Sequence, residues 1–207
     1  MADVTLTYKG STIAEMNDTG TKTLKTSGKY CEGDIGVSYV KPSSGGGGFW
    51  DEDYAKQIIG RTITSINFPS GLTEIGSYAF FECNDLNLAS LPQSLTKIGN
   101  SAFRFTKISL TSLPVGVTNI WSYTFADCSE IKTIEFHENI NIIDMFAFYN
   151  CTGLTSVTFK GTPSTIINNA FNKCTNLTNI YVPWAEGAVS GAPWGATNAT
   201  IHYNTTT

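Results

Sequence analysis

The sequence predicts a mostly β repeat solenoid, α+β only in that a short helical cap is expected ahead of it. Three observations carry that reading. Phenylalanine recurs at Phe80, Phe103, Phe125, Phe148 and Phe171, at intervals of 23, 22, 23 and 23 residues. An isoleucine stands five residues before each (Ile75, Ile98, Ile120, Ile143, Ile166), and a cysteine stands three residues after four of the five, with Thr106 in its place in the second unit. A Leu or Ile follows six residues after each phenylalanine, or five in the short unit: Leu86, Ile108, Ile131, Leu154 and Leu177. Each of these opens an extended pattern such as Leu154-Thr-Ser-Val157-Thr-Phe159, with Ile63 beginning the series. A unit of this size cannot bury its own apolar face, but stacked units turn each recurrent position into an internal ladder.

Residues 1–42 come first and read as a small β module. Val4-Thr-Leu6-Thr-Tyr8, Thr12-Ile-Ala and Ile35-Gly-Val-Ser-Tyr39-Val40 are short strand-like pieces separated by Gly and Asn-Asp turns. Residues 43–48 close a Pro-Ser-Ser-Gly-Gly-Gly-Gly run with the composition of a flexible linker, which places a boundary near residue 45. A phosphate-binding loop would need Gly-Lys-Ser/Thr at its end, and Phe49-Trp50 stands there instead. Residues 49–61 form the expected helical cap, with Asp51, Glu52 and Asp53 in a first turn that favours negative charge and Gly60 as a stop. That acidic run lacks the glycine and distal glutamate of a calcium loop.

Residues 62–183 hold the repeats. In each unit a strand ends where Pro69, Pro92, Pro114 or Pro183 follows, because proline cannot donate to a ladder. The Ile-x-x-x-Ala-Phe segment then supplies the opposite wall: Ala or Thr permits close approach, and the aromatic fills the interior. The cysteines Cys83, Cys128, Cys151 and Cys174 fall at equivalent positions and are expected as a buried column of free thiols. One cysteine per coil is not a zinc set, which needs four convergent ligands. Residues 184–207, with Trp184, Trp194 and the strand-like Thr200-Ile-His-Tyr203, break the period as a terminal cap should.

The unit Pro-x-x-Leu-Thr-x-Ile-Gly-x-x-Ala-Phe-x-x-Cys-x-x-Leu, running from Pro69 to Leu86, closely resembles the BspA-like (Treponema-type) leucine-rich repeat. Five consecutive units share it. Trp121, Asp144 and Ile167 replace the glycine after isoleucine, and His137 and Lys160 stand where other units have proline. The resemblance implies a leucine-rich-repeat solenoid and an association with adhesion to host matrix and other cells. A looser resemblance links the flanks to phage or prophage structural proteins of gut Firmicutes. It rests on Thr-Leu-Lys-Thr-Ser-Gly-Lys-Tyr-Cys-Glu-Gly-Asp at 23–34 and on Ala192-Pro-Trp-Gly-Ala-Thr-Asn-Ala-Thr-Ile-His-Tyr-Asn204.

Composition narrows the function classes. Charged residues are only 14% of the chain, against about 25% in typical domains. The surface is therefore mainly neutral and polar. A net charge of -4 argues against a nucleic-acid partner, which would need a basic stripe. No apolar run approaches the 18 or so residues of a spanning helix, so membrane insertion is not expected. The N-terminus MADVTLTYKG lacks the basic and apolar regions of a signal peptide, so Sec-type export is not expected either.

No catalytic signature, cofactor motif or metal set is present, and a non-enzymatic protein is expected. His137 and His202 fall in no triad or metal pattern and read as surface and cap residues. The Asn-x-Thr sequons at Asn17, Asn150, Asn176, Asn198 and Asn204 are read as chance products of an Asn- and Thr-rich chain. The candidate binding face lies on the strands, where alternation points residues two and four past each repeat start outward. Those columns are Ser65, Leu88, Leu110, Thr133, Ser156, Asn179 and Asn67, Ser90, Ser112, Glu135, Thr158, Tyr181. Leu88 and Leu110 admit two arrangements: an apolar contact patch, or a Leu-x-Leu-x-x-Leu register that buries both.

The function expected from these readings is that of a phage virion structural or binding protein, either a receptor-binding tip or a head decoration. Virion proteins would be contacted through residues 1–42, which would also hold any homo-oligomer contact. A host cell-surface protein or glycan would be contacted through the repeats. The alternatives are a bacterial cell-surface adhesin and an intracellular interaction scaffold.

Overall fold

The computed structural model describes residues 5–8, 11–15, 21–23, 35–38, 65–68 and 72–205, the strands before Phe68 by their backbone alone. Within them the chain is a β-solenoid of about six turns with no helix. The expected helical cap at 49–61 and Cys31 lie outside the described residues.

Four strands precede the repeats: β1 (Thr5–Tyr8), β2 (Ser11–Glu15), β3 (Thr21–Thr23) and β4 (Ile35–Ser38). β1, β2 and β4 fall in the strand-like stretches read from the sequence, while β3 lies in a segment that was not read as a strand. The first, second and fourth form an antiparallel sheet in the order β2-β1-β4. The third pairs in parallel with β5 (Ser65–Asn67), the strand of the first repeat. A ladder therefore joins sequence on both sides of the glycine linker.

Each coil of the array has three walls. The strand wall carries β9 (Thr133–Phe136), β11 (Ser156–Phe159), β13 (Asn179–Tyr181) and β14 (Thr200–His202), parallel and in register in the order β14-β13-β11-β9. The last strand belongs to the C-terminal segment, which continues the array by one coil as it caps it. The opposite strand wall is built from two-residue strands: β6 (Glu74–Ile75) with β7 (Lys97–Ile98), and β8 (Asn119–Ile120), β10 (Ile142–Ile143) and β12 (Thr165–Ile166) as a second parallel set. A one-turn hydrogen bond from residue i+3 to the strand-ending residue separates the two walls, as from Leu95 to Pro92, Val117 to Pro114 and Ile140 to His137. His137 thus takes over the turn role of proline, and its Nε2 sits 3.1 Å from the Pro114 carbonyl one coil back.

The third wall follows the isoleucine and has a backbone that pattern reading did not anticipate. The residue two before each core phenylalanine and the residue two after it are left-handed. Tyr78, Ser101, Tyr123, Phe146 and Asn169 have φ of 53–72°, and Glu82, Phe105, Asp127, Asn150 and Lys173 have φ of 55–63°. This alternation aims every second N–H at the next coil. Tyr78, Phe80 and Glu82 donate to Asn100, Ala102 and Arg104, and Ser101, Phe103 and Phe105 to Ser122, Thr124 and Ala126. The N–H groups between them close local turns. Left-handed geometry costs a non-glycine residue about 1–2 kcal/mol, and here it is held by inter-coil bonds, three in each of the first three units, two in the fourth and one in the fifth. Asn169, exposed and at φ 72°, is the least costly residue type for such a site. Asn169→Val is expected to lower stability by about 1–2 kcal/mol in denaturant titrations, and Asn169→Gly to leave it unchanged or raise it.

The interior is a set of ladders, as the repeat predicts. Phe80, Phe103, Phe125, Phe148 and Phe171 are buried and stack at ring separations of 5.3, 5.9, 5.3 and 5.5 Å. The isoleucines Ile75 to Ile166 form the second column. Cys83, Cys128, Cys151 and Cys174 form the third, all free and buried. Each of the last three donates its thiol to the carbonyl of a phenylalanine in the preceding coil: Cys128 to Phe103, Cys151 to Phe125 and Cys174 to Phe148, at 3.0–3.1 Å.

Thr106 in the cysteine column and Thr124 at the position otherwise held by alanine before the core phenylalanine are polar for a visible reason. Thr106 bonds the Phe103 carbonyl at 2.8 Å, and Thr124 bonds the carbonyls of Trp121 and Gly99. Coil spacing is enforced at Gly99 and Gly153, where a Cβ would overlap the Ser77 amide and the Ser129 carbonyl of the coil before. At the C-terminal end Trp184 and Trp194 close the core against Phe159, and Trp194 Nε1 donates to the Ser190 carbonyl at 2.7 Å.

Candidate functional site

The strand wall divides into two parts because the inward register changes along it. In the third to fifth units, Ile131, Ile134 and Phe136, Leu154, Val157 and Phe159, and Leu177, Ile180 and Val182 point inward. The residues two and four past each start therefore face out. Thr133 and Glu135 are exposed, and Ser156, Thr158, Asn179 and Tyr181 are half-buried.

The first two units differ. Leu86, Leu88 and Leu91, then Ile108, Leu110 and Leu113, are the buried positions. Leu88 at 9% and Leu110 at 1% exposure are core residues and leave the candidate face. The physical reason is the Leu-x-Leu-x-x-Leu spacing, which turns the second leucine inward where later units turn the fourth residue in. Ser90 and Ser112 stay exposed, and Ser112 bridges to Glu135 across the change of register. Ser65 and Asn67 lie in the backbone of β5, and their side chains lie outside the described residues.

Registration of the parallel strands lines these residues into two rows. One runs Thr133, Ser156, Asn179, Thr200, and the other Ser112, Glu135, Thr158, Tyr181, His202. At the C-terminal end Tyr181 and His202 stack at 4.6 Å with their rings 15° apart. His202 Nε2 is 3.0 Å from Asn179 Oδ1, a pairing in which the ring nitrogen donates. Toward the middle, Lys160 pairs with Glu135 at 3.2 Å. His202, read from the sequence as a cap residue, is thus part of the candidate face.

A second outward surface lies on the turn wall and was missed from the sequence. Tyr78 packs on Phe81 (5.7 Å), Phe81 on Phe105 (5.8 Å), and Tyr123 on both Phe146 (5.1 Å) and Tyr149 (6.4 Å). The Arg104 guanidinium joins the two groups, 4.6 Å from the Phe105 ring centre and 4.9 Å from that of Tyr123. Its Nε donates to Asp127 Oδ2 at 3.0 Å, and Asn150 Nδ2 donates to Asp127 Oδ1 at 2.8 Å. The available signal was positional: these aromatics stand at -2, +1 or +2 from the core phenylalanine, places that face away from it.

Among the described residues no group of three or more His, Cys, Asp or Glu converges as a metal site. The thiols are not placed for chemistry. Burial pushes Cys128 up to about 12 and holds Cys83 and Cys151 above their ordinary value as well.

The comparisons with known proteins follow the repeat. The family model for the BspA type leucine rich repeat region matches residues 59–183 in six copies. The chain belongs to that family. The family is a repeat-based interaction fold and generally a non-enzymatic one. Similar solved structures include a leucine rich cell surface protein from Faecalibacterium prausnitzii, at 16% identity over 72% of this chain and 62% of that one, TM-score 0.35. A leucine-rich repeat protein from Eubacterium ventriosum is similar at 14% identity over 97% and 78%, TM-score 0.39. Another, from Bacteroides ovatus, is similar at 16% identity over 98% and 76%, TM-score 0.31. The chain spans less than two thirds of the Faecalibacterium protein. No curated protein matches it.

Proposed function

We propose that this BspA-type array is a contact module that binds a cell-surface glycan through the C-terminal half of its strand wall. The observation that supports this reading is the Tyr181–His202 stack beside Asn179, flanked by the rows of small hydroxyl side chains. Aromatic edges and faces give a sugar ring apolar contact, while Asn, Thr and Ser exchange hydrogen bonds with its hydroxyls. Neutral polar groups suit a neutral ligand, and the low charge content agrees with that chemistry. The carrier we propose is a virion, with residues 1–42 as the attachment and self-association module and the repeats as receptor-binding tip or head decoration. That part rests on the flank resemblance.

A glycan array probed with the full chain tests the face. Binding is expected, with at least a tenfold loss in Tyr181→Ala and Asn179→Ala, since each removes a contact from a half-buried, outward-facing side chain of the proposed site. Absence of any bound glycan, or binding unchanged in both variants, overturns the reading. Proteomics of density-purified particles after prophage induction tests the carrier: copies near those of the major capsid protein mean decoration, and a few per particle mean a tip. Absence from particles moves the protein to a bacterial surface adhesin or a cellular scaffold.

A further inference from the structure

The turn wall has a chemistry unlike that of the strand wall, and we infer that it is a separate docking surface for a protein partner that presents a carboxylate flanked by apolar side chains. Six half-buried or exposed aromatics, Tyr78, Phe81, Phe105, Tyr123, Phe146 and Tyr149, form one band across the first four coils. Among the described residues, four large hydrophobics are exposed, and three of them lie on this wall or at its rim: Tyr78 at 40%, Met145 at 43% and Ile167 at 36%. Tyr, Phe, Met and Arg are the residue types that concentrate in protein interfaces.

Arg104 defines the chemistry of the partner. Its guanidinium is fixed by two rings and by one bond from Nε to Asp127, and its terminal N–H groups bond no other described residue. The side chain remains 27% exposed. Asp127 is 10% exposed, and each of its oxygens already accepts a bond within the wall, Oδ2 from Arg104 and Oδ1 from Asn150. What remains is a pre-oriented pair of donors at the centre of an aromatic band, the geometry that takes a carboxylate by two parallel bonds. Lys173, 5.1 Å over the Tyr149 ring, adds a second cation on the same wall. Two other carboxylates stand beside the band: Glu82, at the position in the first coil that Phe105 holds in the second, and half-buried Asp144, which accepts from Ser122 Oγ at 2.8 Å and from the Met145 N–H at 2.7 Å. A sugar is the less suitable occupant, because Arg104 and Lys173 already cover faces of Phe105, Tyr123 and Tyr149 that a pyranose would stack on.

The test is selection of a displayed library of random dodecapeptides on the immobilised full chain. Enriched peptides are expected to carry Asp or Glu within two residues of an aromatic or aliphatic side chain. Their synthetic forms should bind at least tenfold more weakly to Arg104→Met, to Arg104→Lys, which keeps the charge but not the fork, and to Met145→Asp. They should bind equally to Thr133→Ala on the strand wall. Met145 is exposed, so its variant reports on the surface even where an Arg104 variant folds poorly. No enrichment over empty support, enriched peptides without an acid, or affinities unmoved by Met145→Asp would overturn the inference. Glycan binding that is lost in Met145→Asp would also overturn it, by assigning the wall to sugars.

Discussion

Phe125→Ala is expected to lower the stability of the array by about 3–5 kcal/mol, the range for deleting a fully buried aromatic ring. Phe125 is 1% exposed and lies between Phe103, parallel to it at 5.9 Å and 2°, and Phe148 at 5.3 Å and 24°. Its neighbours cannot collapse into the gap. The backbone of the turn wall is pinned to the coils on both sides, Phe103 donating to Thr124 and Phe125 to Ala147. The Phe125 carbonyl also receives the Cys151 thiol, so movement of this backbone would unsatisfy a buried donor. Whole-domain stabilities are about 5–15 kcal/mol, and a loss of this size consumes a large part of one. In a stacked array each coil is held only by its neighbours, so damage at a central coil weakens the coupling between the two halves. Guanidinium unfolding followed by circular dichroism should show a lower midpoint and a broadened or split transition. Ser156→Ala, half-buried on the strand wall, should move the midpoint little, within about 0.5 kcal/mol. A Phe125→Ala protein within 1 kcal/mol of the unaltered chain would refute the stacked-column account of its stability.

The core ladders were legible in the sequence because solenoid packing repeats at the period of the chain. Phe, Ile and Cys columns at offsets of 0, -5 and +3 each occupy one depth in every coil. In the units that alternate strictly, Thr133 and Glu135 are exposed and Ser156, Thr158, Asn179 and Tyr181 half-buried between buried neighbours, as period two implies. Pattern reading failed to decide Leu88 and Leu110, because a shift of one position in the middle apolar residue turns the side chain over without changing the unit's length. The Ile-x-x-x-Ala-Phe segment was read as a wall, but its left-handed backbone was not. Its left-handed residues are Tyr, Ser, Phe, Asn, Glu, Asp and Lys, with no glycine among them in the five central units to advertise positive φ. The ladder they form is specified by neighbouring coils, not by local propensity. The aromatic band was hidden for a related reason: a phenylalanine next to a core phenylalanine reads as more core, and only the alternating backbone turns it outward.

Raising the pH above 9 is expected to destabilise the array steeply, and the thiol column is the reason. Desolvation by burial is the first cause of the raised values of Cys83, Cys128 and Cys151, whose ordinary value is 9.0. In the folded chain these thiols keep their protons to about pH 12 in the case of Cys128. In the unfolded chain they lose them from about pH 9 upward. The unfolded state therefore binds fewer protons between those limits, and stability falls as pH rises. It is unaffected below pH 9. A thiol that stays protonated in the folded chain contributes about 1.4 kcal/mol per pH unit in that window. For Cys128 this amounts to about 3 kcal/mol two units above pH 9, and Cys83 and Cys151 act in the same direction. Denaturant midpoints measured from pH 8 to 11 should trace this slope. Tyrosines and lysines also titrate there, so the decisive comparison is between variants. Cys83→Ala should lower the thiol slope, and Thr106→Cys, which puts a thiol where the second unit carries a buried threonine in the same column, should raise it. Equal slopes in the unaltered chain and in a Cys83→Ala, Cys151→Ala double variant would show that the thiols ionise without unfolding, which a column buried from water on every side does not permit.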